Sequence, residues 1–282
     1  MPKRTIRTLL TELEARGTRF DKDALKQNLC PTCRAGWTEQ QRLAKQQMMF
    51  DNLMASVQGG RLMTLWSRMD NLRWTSRPNV MIFNNHGKIF LPDPGTHLMD
   101  AQLVRCEIDL ALQMAGEEEL ARSSDVHKEI ADITGLDRQT AKLSTYKLLY
   151  GMKRDADIQK VADALPDLED FIHMVNSSHV ILSPAGTPIR VPEGKSGNLM
   201  NRYLQASVSE IVDRWLEAIN QDIALLMPDG ALLQVPDGQQ TQFGMALIDA
   251  FQGLDLPEQF GLTVDLTECA TGDSFRARFA RH

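Results

Sequence analysis

Four side chains between Arg138 and Tyr150 have the types and the spacing to bind a phosphorylated ligand that contains rings. Arg138, Lys142, Tyr146 and Tyr150 stand four residues apart in turn. Because an α-helix has about 3.6 residues per turn, all four fall on one face, and Gly151 follows where a helix commonly ends. Two cations one turn apart repel unless an anion lies over them, and aromatic rings offer flat surfaces for a base or sugar. The stretch predicts a helix that binds a nucleoside triphosphate; a solvated cationic face with inward-packed tyrosines gives a similar pattern.

The complete string, Arg-x3-Lys-x3-Tyr-x3-Tyr-Gly, resembles the fingers-helix motif of the family A DNA polymerases. Its first tyrosine resembles the phage-replicase branch, and related single-subunit RNA polymerases carry a similar helix. The resemblance implies that Arg138 and Lys142 grip the triphosphate and stabilise its developing charge. It also implies that Tyr146 backs the incoming base and that Tyr150 faces the template side.

Two aspartates outside this helix are the candidate metal ligands. Asp100 follows a short segment that predicts a strand at residues 96–100, and Asp229 lies in a Pro-Asp-Gly turn that predicts a hairpin. The resemblance implies that these two carboxylates hold two Mg²⁺ or Mn²⁺ ions. The family has His-Asp-Glu at the second position, and this chain has Pro228, Asp229 and Gly230, so only the aspartate is kept.

Two alignments of the first acidic motif differ by two residues. In one, Asp100 is the metal ligand and Arg105 takes the place of the family's glutamate. In the other, Glu107 is the glutamate that excludes a ribose 2′-hydroxyl, and counting back puts Gln102 at the ligand position, which would disable metal binding. The order of strand and aspartate favours Asp100, because a shorter Pro-Asp-Pro-Gly loop accounts for the difference.

Three weaker matches supply the candidate contacts to nucleic acid and to the incoming phosphates. Arg73 and Asn79 resemble the family segment that touches the minor groove of the primer-template, although Ser-Arg-Pro-Asn is also an ordinary turn sequence. His127 matches a histidine that reaches the phosphates of the incoming nucleotide, although a surface histidine needs no such role. Asn201 and Gln205 stand four apart in a long helical pattern and match side chains near the primer terminus.

Composition and charge indicate a globular chain with an uneven charge distribution. With 282 residues, 43% of them hydrophobic, the chain can bury a sizeable core. No apolar run approaches the roughly 20 residues that cross a bilayer, and the start lacks a signal-peptide pattern, so we expect a cytoplasmic protein without a membrane partner. Residues 1–75 hold 13 Lys/Arg against 7 Asp/Glu, whereas residues 228–275 hold 8 acids and no Lys or Arg. The basic half predicts a surface for phosphates, and the acidic part would hold divalent metal or only keep the protein soluble.

A Cys-Pro-Thr-Cys motif is the other group with metal-binding potential. Cys30 and Cys33 form the pair, and no second pair of Cys or His follows it closely. Reduced thiols in a helical connection are favoured over a zinc site, which would need Cys106, Cys269 or a distant histidine to complete it.

The hydrophobic patterns and the resemblance together predict an α+β fold with the right-hand architecture of a polymerase. We expect an antiparallel palm sheet, helical fingers and a reduced thumb. Helices are predicted at residues 5–16, at 37–58 with Leu43 and Met48 toward the core, at 103–114, and at 155–175 as one helix. The expected divisions are a helical N-terminal segment or thumb remnant at 1–60, palm at 61–116, fingers at 117–190 and the second part of the palm at 191–282.

Three functional hypotheses follow. The first is a template-directed DNA polymerase without an exonuclease domain, which transfers a nucleotide from dNTP to a primer 3′-hydroxyl; a protein partner would replace the missing thumb on the primer-template. The second is a catalytically degenerate polymerase fold that acts as a DNA-, nucleotide- or protein-binding module, because the Pro228–Gly230 motif is altered. The third is an unrelated helical protein with a chance motif.

Overall fold

The computed structural model of the chain describes residues 3–29, 38–69, 71–80, 86–191, 198–254, 260–271 and 274–278. Cys30 and Cys33 lie outside these residues. The described helices, numbered in chain order, are α1 Ile6–Arg16, α2 Lys22–Asn28, α3 Glu39–Met54, α4 His86–Ile89, α5 Cys106–Ala115, α6 Glu118–Ala121, α7 Val126–Thr134, α8 Arg138–Leu149, α9 Ala156–Ala164, α10 Pro166–Ser177, α11 Leu199–Ile219 and α12 Gln240–Gln252. The described strands are β1 Thr18–Arg19, β2 Val57–Gln58, β3 Arg61–Leu62, β4 Leu65–Arg68, β5 Trp74–Arg77, β6 Thr96–Val104, β7 Val180–Leu182, β8 Pro188–Arg190, β9 Ile223–Met227, β10 Gly230–Pro236, β11 Thr263–Glu268 and β12 Ser274–Arg278.

The main sheet is antiparallel and has β6 at its centre. Its strand order is β12-β11-β6-β10-β9, so β6 pairs with β10 on one side and with β11 on the other. The alternation along β6 buries Ala101 and Leu103 and leaves Asp100, Gln102 and Val104 half-exposed. The antiparallel sheets and the many helices agree with the predicted α+β class.

The core lies between this sheet and two long helices. All five residues of β9 are buried, and α11 contributes fourteen buried residues, among them Tyr203 and Trp215. The Trp215 indole donates to the carbonyl of Leu247 at 2.9 Å, which ties α11 to α12, and α12 packs on β10 and β11. Buried aromatic side chains of this size contribute strongly to packing, so α11 is held firmly beside the sheet.

Gly230 lets the β9–β10 hairpin lie close against β6. A Cβ atom built on Gly230 would stand 2.0 Å from the carbonyl oxygen of Ala101 and 2.8 Å from the Cα of Gln102. These are backbone atoms, which cannot turn aside as a side chain can. The packing of the sheet therefore requires a glycine at position 230.

Helices α5 to α10 form a separate helical layer whose ends are marked by the sequence. Asp125, Asp137 and Asp155 are the N-caps of α7, α8 and α9, and each carboxylate accepts a backbone N–H of the first turn. Helix α8 contains three members of the predicted stripe, and the fourth, Tyr150, is its C-cap. Gly151 follows with φ of 64°, as the sequence predicted.

Three local predictions were wrong. The helix expected from residue 103 begins at Cys106, because the ladder of β6 continues to Val104. The single helix expected at 155–175 is two helices, since Pro166 lacks the N–H that would continue α9 and instead starts α10. On α3, Leu43 is 57% exposed and Met48 is 45% exposed, so these two residues do not face a core.

Candidate active site

A cavity of about 320 Å³ opens between the end of the main sheet and helix α8. That volume is at the lower end of the range for small-molecule sites. The side chains that line it come from β4–β5, β6, α5, α8, α11 and the β9–β10 turn: Arg73, Leu103, Arg105, Cys106, Glu107, Tyr146, Tyr150, Gln205, Val208, Pro228 and Asp229. Six of the predicted site residues therefore meet here, namely Arg73, Glu107, Tyr146, Tyr150, Gln205 and Asp229.

Glu107 and Tyr150 join α5 to the end of α8. The hydroxyl of Tyr150 donates a hydrogen bond to Oε2 of Glu107. Burial raises the pKa of Glu107, and the Tyr150 hydrogen bond and the Arg73 guanidinium oppose that rise. Burial also raises the pKa of Tyr150 and of Tyr146, so both phenols are neutral donors. The rings of Tyr146 and Tyr150 lie 6.1 Å apart, and together they give this wall a continuous aromatic surface.

Arg73 is the cationic side of the cavity, opposite two carboxylates. Its guanidinium lowers the pKa of Glu107 and of Asp229, whereas burial is the larger effect and raises both. The neighbouring Asn71 donates from Nδ2 to Oε1 of Gln205 at 2.6 Å. The β4–β5 hairpin and α11 are thus joined at the edge of the cavity.

The strand register places Leu103 opposite Asp229 and puts Gln102 nearer to that turn than Asp100. The backbone N–H of Leu103 donates to the carbonyl of Asp229 at 2.7 Å, and Gly230 pairs with Gln102. Asp100 pairs with Leu232 instead, two residues further from the turn. Asp100 and Gln102 share a face of the strand, and Nε2 of Gln102 donates to Oδ2 of Asp100 at 3.2 Å. Gln102 therefore stands between Asp100 and the Asp229 turn.

The surroundings of Asp100 disfavour its ionised form. Burial raises its pKa to about 6, the charges of Asp229 and Asp265 add to that rise, and the Gln102 hydrogen bond lowers it. Its Oδ1 atom is buried and has no hydrogen-bond partner among the residues that the structure describes. A buried acceptor without a partner costs free energy, which is the environment that a bound cation or a proton would relieve.

The donor set falls short of a two-ion metal site. Asp100 and Asp229 influence each other electrostatically, but an amide lies between them at the position nearest to the turn. Within the described ranges, no group of three or more His, Cys, Asp or Glu side chains is placed to hold a metal ion. Two-ion sites depend on several carboxylates in contact with both ions.

The cations of α8 and His127 lie beyond the lining of the cavity. Arg138 donates from Nε to Oδ2 of Asp125 at 2.8 Å and is 55% exposed. His127 is buried with its ring 5.9 Å from that of Tyr146. Burial lowers the pKa of His127 to about 4, and the charges of Lys142 and Arg138 lower it further. His127 is therefore neutral at pH 7 in a region of positive potential.

The two predicted asparagines also lie outside the lining. Asn79 is exposed beyond the end of β5. Asn201 is half-buried in the first turn of α11, one turn before Gln205, and its backbone N–H donates to the Asn198 side chain. Asn201 lies on the helix that also carries Gln205 and Val208, and Asn79 follows the hairpin that carries Arg73.

Sequence reasoning missed two polar contacts at this site. Arg105, in the left-handed region with φ of 50°, lines the cavity and forms a 3.0 Å ion pair with the fully buried Asp109. Residues four apart are neighbours on a helix, so the spacing of Arg105 and Asp109 could have predicted this ion pair. Asp213 on α11 accepts from the Trp74 indole at 3.0 Å, and a charged residue within a long helix gave no sign of burial.

Comparison with known proteins gives the fold. No family model matches the chain, and no curated protein sequence matches it. Its structure is similar to the POL domain of Pol1 from M. smegmatis in complex with DNA primer-template and dNTP, with a TM-score of 0.75 and 17% sequence identity over 94% of this chain and 69% of that one. The fold is polymerase-like. A search of the described helices for one long and apolar enough to cross a membrane found none.

Proposed function

We propose that the chain is a DNA polymerase-like protein, related to family A, whose central cavity binds a primer-template together with a deoxynucleoside triphosphate. The observation that carries the proposal is the convergence of six residues from distant segments on one cavity. The sequence predicts each of them from a short local motif. A chance match in the α8 string would give no reason for the other segments to meet beside it.

The α8 wall has the chemistry to bind the nucleotide. The tilted rings of Tyr146 and Tyr150 offer a surface on which a base can stack. In the alignment that puts Gln102 rather than Asp100 at the metal-ligand position, Glu107, bonded to Tyr150, would lie beside the sugar and exclude a 2′-hydroxyl. Lys142 and Arg138 lie on the same helix. Their charges, after the larger effect of burial, lower the pKa of His127, and a triphosphate would neutralise those charges. Arg138 would exchange its exposed ion pair with Asp125 for a phosphate.

The opposite side has the chemistry to contact the primer-template. Arg73 and Gln205 face the cavity from the β4–β5 hairpin and α11, and both side chains can donate to base edges or to the backbone. Asn79 and Asn201, on the same two elements, would extend this contact along the duplex. The similarity to a polymerase domain solved with primer-template and dNTP supports this assignment.

Nucleotidyl transfer to a primer 3′-hydroxyl is the first candidate reaction. It would use Mg²⁺ or Mn²⁺ at Asp100 and Asp229, with Lys142 stabilising charge on the phosphates. The partnerless oxygen of Asp100 favours a cation at this end of the sheet. Because the donor set falls short of a two-ion site, we assign no reaction step to metal ions.

Binding without transfer is the second candidate, and Gln102 favours it. Gln102 lies nearer than Asp100 to the Asp229 turn, its amide contributes no negative charge, and its hydrogen bond occupies one oxygen of Asp100. A protein with this site would hold nucleic acid and nucleotide and leave the primer unchanged.

Binding is tested by the affinity of the protein for a fluorescent primer-template hairpin, with and without the matching dNTP. We expect Arg73→Ala to weaken binding by about tenfold, the effect of one buried charged contact. Arg77→Ala, which removes the exposed arginine at the end of the same hairpin, should leave the affinity within about twofold. Equal losses in the two variants, or no binding by the wild type, would reject the proposal.

Transfer is tested separately by primer extension in Mg²⁺ and in Mn²⁺. Extension by the wild type that disappears in Asp229→Ala would establish the first candidate. Binding without extension in either metal would establish the second, and Gln102→Asp then asks whether a carboxylate beside Asp229 is the missing group.

A further inference from the structure

Asp213 is a buried carboxylate that the cavity does not use directly. It lies on the face of α11 turned toward the β4–β5 hairpin, and only 6% of its surface is exposed. Its Oδ1 accepts from the Trp74 indole at 3.0 Å, and its Oδ2 lies 3.0 Å from Nη2 of Arg68. The Arg68 guanidinium also stacks over the Trp74 ring at 5.6 Å. A buried charge is retained only where it is paired and hydrogen-bonded, and these partners meet that need.

Asp213 is the last of three α11 side chains that make polar contacts with the β4–β5 hairpin. Gln205 accepts from Asn71, Oγ of Ser209 donates to the carbonyl of Leu72 at 3.1 Å, and Asp213 accepts from Trp74. Gln205, Ser209 and Asp213 are four residues apart, so they form one stripe along the helix. We call this stripe and its three partners the α11 latch.

The latch holds the hairpin on both sides of Arg73. Leu72 precedes Arg73 and Trp74 follows it, and Leu72 is held in the left-handed region with φ of 62°. Arg68 also donates to the carbonyl of Leu72 at 2.8 Å. A small gap behind the cavity is lined by Arg73, Asp213 and the β9–β10 turn residue Pro228, so Asp213 and Arg73 border the same space between α11 and the hairpin.

We propose that Asp213 is a positioning residue for Arg73, and that the α11 latch makes the affinity of the cavity for a primer-template depend on pH near neutrality. The inference rests on the proposed function, because Arg73 is the contact that it positions.

The charges around Asp213 account for this dependence. Its pKa is raised to about 7, chiefly by burial; Glu217 and Glu210 on its own helix contribute to the rise, and Arg68 and the Trp74 indole oppose it. Leu226 and Met227 of β9, which also line the gap, carry no charge. Above pH 7 the ionised carboxylate completes the Arg68 pair and fixes the hairpin, whereas protonation weakens both contacts.

The same titration has the opposite effect on stability. The folded-state pKa is raised above the ordinary value of 3.8, so folding favours the neutral acid. The contribution to stability is therefore present at low pH and is lost as the pH rises through about 7. Stability and affinity are expected to change in opposite directions, which a purely structural role would not produce.

The test compares wild type with Asp213→Asn, which keeps the shape and an acceptor for Trp74. We expect equal affinities for a primer-template hairpin at pH 6, and at pH 8 about threefold tighter binding by the wild type, although the variant is then the more stable protein. In an Arg73→Ala background the difference should stay within about twofold.

Arg68→Gln should reproduce the loss of affinity from the other side of the ion pair, and the exposed Asp132→Asn is the control. The inference would be overturned if the ratio of the wild-type affinity to the Asp213→Asn affinity were the same at both pH values. It would also be overturned if the threefold difference at pH 8 persisted in the Arg73→Ala background.

A second measurement separates the latch from DNA binding. The indole N–H resonance of Trp74, assigned with Trp74→Phe, should shift with a midpoint near pH 7 in wild type and not in Asp213→Asn. An unchanged resonance rejects the latch. A shifting resonance in a protein that binds no DNA at any pH rejects the proposed function, and with it the role of Asp213 in binding.

Discussion

The two walls of the cavity differ in how completely their polar groups are satisfied. On the α8 wall, Glu107 and Tyr150 bond each other, and the aromatic rings stack along one helix. On the sheet wall, which meets the cavity at Leu103 and Asp229, Asp100 keeps a buried oxygen without a partner among the described residues, and Gln102 lies nearer than Asp100 to the Asp229 turn; neither of these two side chains lines the cavity. The first wall is complete as it stands, and the second is under electrostatic strain. Under the proposed function, the wall that would bind the nucleotide has its polar groups satisfied, and the wall that would hold a metal ion does not.

The largest effect on stability is expected at Gly230, where the β9–β10 hairpin packs most closely against β6. Gly230→Ala places a methyl group against the Ala101 carbonyl and should lower the free energy of unfolding by about 3 kcal/mol, as overpacking does. Gly244→Ala in α12, where the nearest atoms are 4.0 Å away, should be neutral or stabilise by about 0.5 kcal/mol. Denaturant unfolding of both variants measures the difference, and equal stabilities would show that the hairpin does not press on β6.

The strain on Asp100 should appear as a dependence of stability on pH. Its folded-state pKa of about 6 exceeds the ordinary 3.8, so its contribution is present at low pH and lost as the pH rises through 6. Asp100→Asn should therefore stabilise the protein by about 2 kcal/mol at pH 8 and by little at pH 4. The exposed Asp51→Asn is the control. Thermal unfolding across this range decides, and a gain that is the same at both ends would contradict the prediction.

The satisfied wall should respond to loss of its single strong hydrogen bond. Tyr150→Phe leaves the buried Glu107 carboxylate without its donor and should cost about 1.5 kcal/mol, a common value for a bond to a charged group. The loss should also raise the pKa of Glu107 further, because that bond lowers it. Tyr146→Phe removes a phenol on the same helix that does not bond Glu107. Similar costs for the two variants would mean that the bond contributes nothing specific.

The smallest effect on stability is expected at the outer end of α8. Arg138→Ala removes an exposed ion pair with Asp125 and should change the free energy of unfolding by less than about 1 kcal/mol. The same change should weaken dNTP binding by about tenfold if the guanidinium grips the phosphates. Calorimetry with dNTP measures that loss, and unchanged affinity would remove Arg138 from the binding site.

The sequence predicted the α8 wall well because its signal is local. Four residues at helical spacing, an Asp137 cap and a following glycine all lie within one element. The sheet wall could not be predicted to the same depth. Asp100 and Gln102 fall on the same face of an alternating strand, so hydrophobic periodicity cannot tell a register from one shifted by two residues. The register is fixed by the pairing of Gln102 with Gly230 of β10, which lies far along the chain.

Asp213 shows a second limit of sequence reasoning. Its partner Trp74 is 139 residues away, and the indole buries a carboxylate that would otherwise be read as part of a solvated helix face. The division between α9 and α10 could have been predicted, because a proline such as Pro166 within a helical pattern is a local signal that the helix ends.

The central place of β6 limits how this site can change over time. Losing or gaining one residue in the strand would turn its buried side toward water, so only a shift by two or a direct exchange of one side chain leaves the core in place. A substitution at position 102 therefore changes the group beside Asp100 without moving the core, whereas an insertion of one residue would turn the strand over. Variants that keep the length of β6 are expected to keep the sheet, whatever side chain stands at that position.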